Sequence, residues 1–212
     1  MNVWRIDPEA PQTDRTLLFD YSWQDRYNIP GTPLRKRLPN GYSVLLTDRR
    51  QKMIYLAGDG ASAEGDRPFI DTFRLANKKK TRLWRSEAPY YETPVDLLDV
   101  RKLKLLTRRE SVSEPPNYFL RNLKRGKISQ ITRFPHPTPQ LKDVQKELIR
   151  YERADGVTMT ATLYLPPGYK AEDGPLPMLM WAYPREFKSA KAAGQVTGSP
   201  CRFVRVSGSS PL

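Results

Sequence analysis

Two similar segments that lie 48 residues apart constrain the fold more than any other feature of the chain. RLANKKKTRLW (74–84) aligns with RNLKRGKISQIT (121–132) and places Leu75 over Leu123, an offset of 123 − 75 = 48. A propeller blade of four short strands occupies roughly 40–50 residues. The spacing therefore predicts consecutive blades of a β-propeller. The repeat by itself leaves a generic antiparallel β-sandwich open as the alternative.

Other short apolar segments, bounded by Gly, Asp, Pro or Asn, predict further strands. They cover residues 52–57, 94–100 and 103–107, and residues 3–6 with 17–19 are typical of an earlier copy of the hairpin. We expect about two to three blades in residues 1–140. A propeller needs roughly four to eight blades to close, so the 212 residues are expected to be a fragment of a longer protein.

A β-hairpin is predicted around Asp155-Gly156, because this dipeptide supplies the positive φ angles of a tight turn. Its arms are residues 149–153 and 157–165. In the second arm apolar residues alternate with threonine and tyrosine, which predicts a strand with one buried face. Pro166-Pro167-Gly168 is expected to end that strand.

The apolar run at residues 178–183 does not alternate. Such a run favours a central strand covered on both faces, although periodicity alone leaves a buried helical turn open. Together with the hairpin, it predicts the beginning of a doubly covered sheet in residues 141–212.

Several motifs occur in an order that resembles one enzyme family. They are EGDRPF, LWRSEAPYYE, LTRRES, ELIRYERADG, LYLPPGY and WAYPREFKSAKAAGQVTGSP, and the resemblance begins near Tyr21. The chain is similar to the glutamyl endopeptidase branch of the prolyl oligopeptidase family of serine peptidases. This resemblance implies a mainly β chain: the last blades of a β-propeller (1–140), followed by the first strands of a truncated α/β-hydrolase domain (141–212).

The resemblance also implies that the full-length protein is a serine peptidase that cleaves peptides or unfolded proteins after glutamate. Such catalysis requires a Gly-x-Ser-x-Gly elbow, then an acid, then a histidine. Ser62 and Ser207 do not match the elbow, and the single histidine, His136, precedes the predicted hydrolase strands. We therefore expect this chain to be inactive alone. The alternative is a non-catalytic, propeller-like binding protein.

Tyr183 is the one predicted catalytic residue. In the resembling superfamily a tyrosine or histidine after the buried strand helps to form the oxyanion hole, and a donor there contributes roughly 3 kcal/mol. Pro184-Arg185 replaces the small residues usual at this point, and simple packing of Tyr183 stays open. No cofactor or metal is predicted.

The formal charge of +13 raises the question of nucleic-acid binding. The basic runs at 35–37, 78–80 and 101–109 lack zinc-ligand spacing, a recognition-helix pattern or an aromatic-glycine RNA motif. We therefore predict no nucleic-acid partner, whereas a positive field could attract acidic peptides. No membrane association is predicted, because no apolar run reaches about 20 residues. One cysteine, Cys201, excludes an internal disulfide, and the cellular location and oligomeric state are not assigned.

Overall fold

A computed structural model describes residues 1–182 and 185–205 of the chain. Antiparallel strands dominate it, with one short helix, α1 (Ala190–Ala193), and 3-10 turns at Arg26–Asn28, Pro139–Leu141 and Ala171–Asp173. The strands in chain order are β1 (Asn2–Ile6), β2 (Arg15–Asp20), β3 (Thr32–Pro33), β4 (Arg35–Arg37), β5 (Ser43–Leu45), β6 (Met53–Gly58), β7 (Phe69–Arg74), β8 (Lys80–Arg85), β9 (Tyr91–Asp99), β10 (Lys104–Glu110), β11 (Asn117–Asn122), β12 (Lys127–Gln130), β13 (Gln145–Glu152) and β14 (Thr158–Leu165). The predicted mainly β fold class is confirmed.

Two four-stranded antiparallel sheets form the centre of the molecule, in the orders β3-β6-β7-β8 and β9-β10-β11-β12. The repeat predicted from the sequence is visible in them, because β7 begins at Phe69 and β11 at Asn117, an offset of 117 − 69 = 48. The strands predicted at 52–57, 94–100 and 103–107 correspond to β6, β9 and β10. Each sheet has the strand number of a propeller blade.

Two hairpins accompany the first sheet. β1 pairs with β2, as predicted for residues 3–6 and 17–19. β4 pairs with β5 in the connection between β3 and β6. The β4–β5 hairpin accounts for the longer spacing between the first two strands of this sheet.

The hydrophobic core lies between the two sheets. Tyr55 and Ile70 of the first sheet pack with Leu97 and Leu105 of the second, and Ile70 and Leu105 have no exposed surface. Burying each aliphatic side chain of this size stabilises the fold by about 1.5–3 kcal/mol. The two sheets are therefore held face to face by one shared cluster.

The other face of the first sheet is also covered. Ile54 and Leu56 alternate with Tyr55 along β6, and they pack with Phe73, Leu18 and Phe19. The Phe19 and Phe73 rings are 4.7 Å apart. Because successive strand residues point to opposite faces, β6 separates two apolar layers. The β1–β2 hairpin supplies the second layer.

Each sheet has two distinct ends. The longer β6–β7 and β10–β11 connections (residues 59–68 and 111–116) form what we call the loop end. The β7–β8, β9–β10 and β11–β12 connections (residues 75–79, 100–103 and 123–126) lie at the opposite ends of the same strands, called the turn end. A strand of six residues spans roughly 20 Å, so the two ends are well separated.

The hairpin predicted around Asp155-Gly156 is confirmed. β13 pairs with β14 in regular register from Gln145↔Leu165 to Glu152↔Thr158, and Gly156 has a φ of 81°. The expected buried face is wrong, since no residue of β14 is fully buried. In the described part of the chain, this hairpin is a sheet of two strands only, and two strands bury little surface.

The prediction of a central strand at residues 178–183 is also wrong for the residues of this run that the structure describes. Residues 178–182 form no strand, and Met178 and Trp181 are 79% and 70% exposed. A buried strand needs hydrogen-bonded neighbours, and no described strand pairs with this run. The division into residues 1–140 and 141–212 stays a prediction.

Candidate functional site at the loop end of the sheets

Residues 189–205, called the docked segment, run along the loop end of both sheets. The Asp66 N–H donates to the Gly198 carbonyl at 2.7 Å, and the Val204 N–H donates to the Val112 carbonyl at 3.1 Å. Asp66 belongs to the β6–β7 loop and Val112 to the β10–β11 loop. The docked segment therefore joins the two sheets at one end, and it shows that their loop ends point the same way.

The beginning of the docked segment is fixed by a short helix and by side chains near the 3-10 turn at Arg26–Asn28. Ser189 caps α1, because its Oγ accepts from the Ala192 N–H at 3.2 Å. Gln195 donates to Asp25 at 2.6 Å, and the Val196 N–H donates to the Tyr27 hydroxyl at 2.9 Å. These polar contacts position the segment that follows.

Asp66 is a buried carboxylate at this junction. Arg26 donates to both of its oxygens at 3.0 Å. Burial raises the pKa of Asp66, and the Arg26 guanidinium opposes that rise. The ion pair therefore compensates only part of the free energy of burying the charge.

Glu110, the last residue of β10, is 3% exposed and anchors the far end of the docked segment. Its Oε1 accepts from the Arg202 Nε at 3.2 Å and from the Phe203 N–H at 3.3 Å. Arg108 lies 3.4 Å from its other oxygen. The carboxylate thus binds two cations and one backbone N–H.

Lys146 of β13 approaches the docked segment from the hairpin side. Its Nζ donates to the carbonyls of Arg202 at 3.0 Å and Ser199 at 3.4 Å. Burial lowers the pKa of Lys146, and the nearby Arg202 cation lowers it further. Arg150 of the same strand donates to the Ala63 carbonyl in the β6–β7 loop. The β13–β14 hairpin is therefore tied to the loop end.

These contacts surround a small cavity of about 170 Å³. Three of its lining residues are cationic and one is a carboxylate; the lining is Glu110, Pro116, Lys146, Tyr164, Arg202, Phe203 and Arg205. The Lys146 Nζ lies 5.7 Å from the centroid of the Tyr164 ring. Because cations outnumber the carboxylate, the lining has a net positive charge.

Ser62, His136 and Cys201 do not have the surroundings of catalytic-triad residues. Ser62 donates to the Gly65 carbonyl at 2.7 Å inside its own turn, as expected for a loop serine. His136 is half-buried between β12 and β13, with its ring 4.8 Å from that of Phe203. Cys201 is a half-buried free thiol.

A local hydrogen bond orients the His136 ring. Its Nδ1 accepts from the Thr138 N–H at 3.1 Å, so a neutral ring carries its proton on Nε2. Nε2 is buried and has no hydrogen-bond partner among the described residues. A base that activates a serine needs a serine hydroxyl within hydrogen-bond reach, and His136 has none in the described chain.

The predicted oxyanion residue, Tyr183, lies outside the described residues, as does Ser207. No group of three or more His, Cys, Asp or Glu side chains in residues 1–182 and 185–205 is arranged to hold a metal ion. No described helix is long and apolar enough to cross a membrane.

Sequence reasoning missed the cluster of Glu110, Lys146 and Arg202. Glu110 is the glutamate of LTRRES, and Lys146 directly precedes ELIRYE, so both lie at motifs that carry the family resemblance. Nothing in the sequence, however, indicates that Glu110 and Arg202, which are 92 residues apart, contact each other.

Comparison with known proteins gives two close matches in sequence. The chain is 46% identical over 223 aligned positions to a probable glutamyl endopeptidase, chloroplastic, of Oryza sativa subsp. japonica. It is 44% identical to the protein of the same name in Arabidopsis thaliana. Each alignment covers 99% of this chain but only 24% and 23% of the relative, so the chain spans about a quarter of their length.

Solved structures give a partial likeness. The AtxE2 isopeptidase, as a variant with Astexin3-dC4 bound, matches 65% of this chain with a TM-score of 0.40 and 18% identity. The apo form of the isopeptidase matches with a TM-score of 0.38. No protein-family model matches the chain. The predicted resemblance is nevertheless confirmed by sequence: over nearly all of its length the chain is similar to glutamyl endopeptidases.

Proposed function

We propose that these residues are part of a serine peptidase that cleaves polypeptides after glutamate. The observation that carries the proposal is the 46% identity to a probable glutamyl endopeptidase along 99% of the chain. Because the chain covers 24% of that relative, the proposal concerns the whole protein. Peptides or unfolded proteins are its proposed substrates.

In this proposal the 212 residues contribute binding surfaces rather than the catalytic triad. They contain one histidine and no Gly-x-Ser-x-Gly motif, whereas acyl transfer by a serine peptidase needs a serine nucleophile and a histidine base. The chain by itself should therefore hydrolyse no peptide bond. The cationic cavity beside Lys146 and Arg202 supports a preference for acidic groups.

Tyr183 is proposed to donate a hydrogen bond to the oxyanion that forms at the scissile carbonyl. A phenolic hydroxyl placed there would stabilise the transition state more than the substrate, which is the requirement for catalysis. Its support is the position in WAYPREF, one of the motifs that carry the resemblance.

The test is a chimaera in which this chain replaces the matching quarter of the rice relative. Its hydrolysis of two fluorogenic peptides, which differ only in glutamate or glutamine before the scissile bond, is measured. We expect activity with preference for glutamate, and none from the isolated 212 residues. A folded chimaera that cleaves neither peptide, or cleaves both equally, would contradict the proposal.

Tyr183→Phe in the same chimaera tests the oxyanion role. Loss of an oxyanion donor lowers kcat by about 10²–10³-fold, with a smaller effect on KM. Tyr169→Phe is the matched control, because the Tyr169 hydroxyl donates to the Gly174 carbonyl in a turn of its own. Equal kcat values for the two variants would reject Tyr183 as an oxyanion donor.

Sequencing the coding DNA beyond the codon for Leu212 provides an independent test. An open frame that contains Gly-x-Ser-x-Gly and a later histidine supports the peptidase. An immediate stop codon would favour the non-catalytic binding protein.

A further inference from the structure

The turn end of the second sheet carries a dense group of cations. The β9–β10 and β11–β12 connections together line a cavity of about 330 Å³, formed by Arg101, Lys102, Lys104, Asn122, Lys124 and Arg125. Five of these six residues are positively charged. The cavity lies at the opposite strand ends from Glu110 and the docked segment, so it is separate from the candidate site.

Neighbouring residues neutralise only a small part of the charge of this cavity. None of its five cationic side chains forms a salt bridge with a residue in the described ranges. Asp99 is the nearby carboxylate, and its Oδ1 accepts from the N–H groups of Arg101 at 2.8 Å and Lys102 at 2.9 Å. The hydrogen bonds that Asp99 accepts fix the turn. Its single negative charge offsets only one of the five cations.

The first sheet has a related turn. Asp48 accepts from the N–H groups of Lys52 and Met53, four and five residues further on, whereas Asp99 accepts from residues two and three positions further on. Gln51 and Leu103, each one or two residues before the next strand, share a left-handed backbone with φ values of 54° and 49°. Basic residues surround this turn as well, at positions 49, 50 and 52, and again at 78–80.

The turn ends of both sheets are basic. The docked segment contacts the loop ends of both sheets, and the shared core holds the sheets face to face. Val100 and Leu123, in the turn-end connections of the second sheet, pack against the same core. We call the cations of the two turn ends together the basic face.

We propose that the basic face is a docking surface for an acidic polypeptide segment, rich in aspartate and glutamate. A cavity of this volume is at the small end of ligand pockets, and its separate ammonium and guanidinium groups can each pair with one carboxylate. The lining contains no aromatic side chain, whereas sequence-tolerant binding of single-stranded nucleic acid depends on aromatic stacking. An acidic polypeptide is thus the favoured occupant.

This inference goes beyond the proposed function. The statement that the acidic segment is a substrate, attracted to the protein before cleavage, rests on the proposed function. The statement that such a segment binds to the basic face does not rest on it. Binding is measured without turnover, so failure of the docking proposal and failure of the peptidase proposal are distinguishable.

The experiment measures the anisotropy of fluorescein-labelled decaglutamate with the 212-residue chain at 50 mM and 200 mM salt. The test variant is Lys102→Gln/Lys124→Gln/Arg125→Gln. The matched control is Arg133→Gln/Lys142→Gln/Lys188→Gln, which removes the same charge from exposed residues away from the turn end. We expect the test variant to weaken binding by about tenfold or more at low salt, and the control by less than about twofold.

Equal weakening by the two triple variants would overturn the proposal, since it would indicate attraction by overall charge alone. Tighter binding of fluorescein-labelled decathymidylate, lost in the test variant, would overturn it in favour of nucleic acid. Circular dichroism checks that each variant folds. In the rice chimaera, the same substitutions should leave the cleavage of a short neutral-tailed peptide unchanged, because the basic face lies outside the catalytic machinery.

Discussion

Lys78 and Gly126 occupy the same position in two equivalent turns, and both have a left-handed backbone. Their φ values are 55° and 64°, and they are 126 − 78 = 48 residues apart, as are β7 and β11. Glycine adopts this conformation without steric cost, whereas a residue with a Cβ loses about 1–2 kcal/mol. The repeat therefore extends to the backbone of the turns, although only one copy has the favoured residue.

Lys78→Gly should stabilise the protein, by up to about 1 kcal/mol, because it removes this steric cost. Gly126→Ala should destabilise it by about 1–2 kcal/mol. A Cβ at Gly126 would have no atom within 4 Å, so the loss would come from the backbone alone. Urea denaturation measures both changes. Lys79→Gly is the control, since Lys79 has no positive φ, and an equal gain there would contradict the explanation.

The sheets could be predicted because their signals are local. Strands β6, β9 and β10 are short apolar segments between turn residues, and Asp155-Gly156 encodes its hairpin directly. The run at residues 178–182 was predicted incorrectly because it has the apolar pattern of a buried strand. Pattern alone cannot show whether a neighbouring strand is present to pair with it.

The candidate site could not be predicted for a different reason. Its contacts join residues far apart in sequence, such as Lys146 with Ser199 and Arg202. Charged residues at these positions are compatible with an exposed surface, which is the usual location of lysine and arginine. Only the packing of the docked segment on the loop end shows that they meet.

Breaking the ion pair of Glu92 and Arg121 should be among the most destabilising changes in the second sheet. Glu92 is 1% exposed, receives the Thr107 hydroxyl and lies 2.6 Å from the Arg121 Nε. Glu92→Ala leaves a guanidinium without its partner, for which we expect a loss of about 3–5 kcal/mol. Differential scanning calorimetry should show a lower Tm or no folding transition.

Glu92→Gln keeps hydrogen-bonding groups in place and should cost less than Glu92→Ala. Glu172→Ala is the matched control at an exposed pair, where Glu172 and Lys170 are 76% and 71% exposed. Such pairs contribute less than about 1 kcal/mol. Similar losses of stability for Glu92→Ala and Glu172→Ala would show that the buried ion pair stabilises the protein no more than the exposed pair does.

The exposed run Met178, Leu179, Met180 and Trp181 should bind a hydrophobic dye. Each of these side chains is at least 70% exposed, and contiguous apolar surface is unusual on a monomer. Substituting Met178, Leu179 and Met180 by serine should lower the fluorescence of bound anilinonaphthalene sulfonate severalfold without lowering Tm. Ile131→Ser, at an exposed position outside this run, should leave the fluorescence unchanged. Unaltered dye fluorescence in the triple variant would show that the dye binds at a different site.

The β13–β14 turn should weaken in strong acid. The hydrogen-bonded Arg153 side chain lowers the pKa of Asp155 from 3.8 to about 2. Because the folded pKa is depressed, the contribution to stability is present above about pH 4 and is lost as pH falls through about 2. Carbon-13 NMR titration of the Asp155 carboxyl should give the low value, and Arg153→Gln should move it towards 3.8. A pKa that does not respond to Arg153→Gln would exclude this cause.

Lys146→Met should loosen the docked segment from the hairpin. It removes the hydrogen bonds from Nζ to the carbonyls of Ser199 and Arg202, and hydrogen bonds of a charged donor contribute about 1.5–3 kcal/mol. Amide hydrogen exchange of Val204, whose N–H donates to Val112, should accelerate about tenfold or more. Lys142→Met, at an exposed position, should leave the Val204 exchange rate unchanged.

The pH dependence of stability measures what it costs to bury the charge of Lys146. Burial lowers the folded-state pKa of Lys146 below its usual 10.5, so the folded protein loses the proton first. Stability should therefore rise with pH between the lowered pKa and about 10.5, when wild type is compared with Lys146→Met. Denaturation at a series of pH values measures this difference. A wild-type advantage that stays constant across the window would show that burial does not lower the pKa of Lys146.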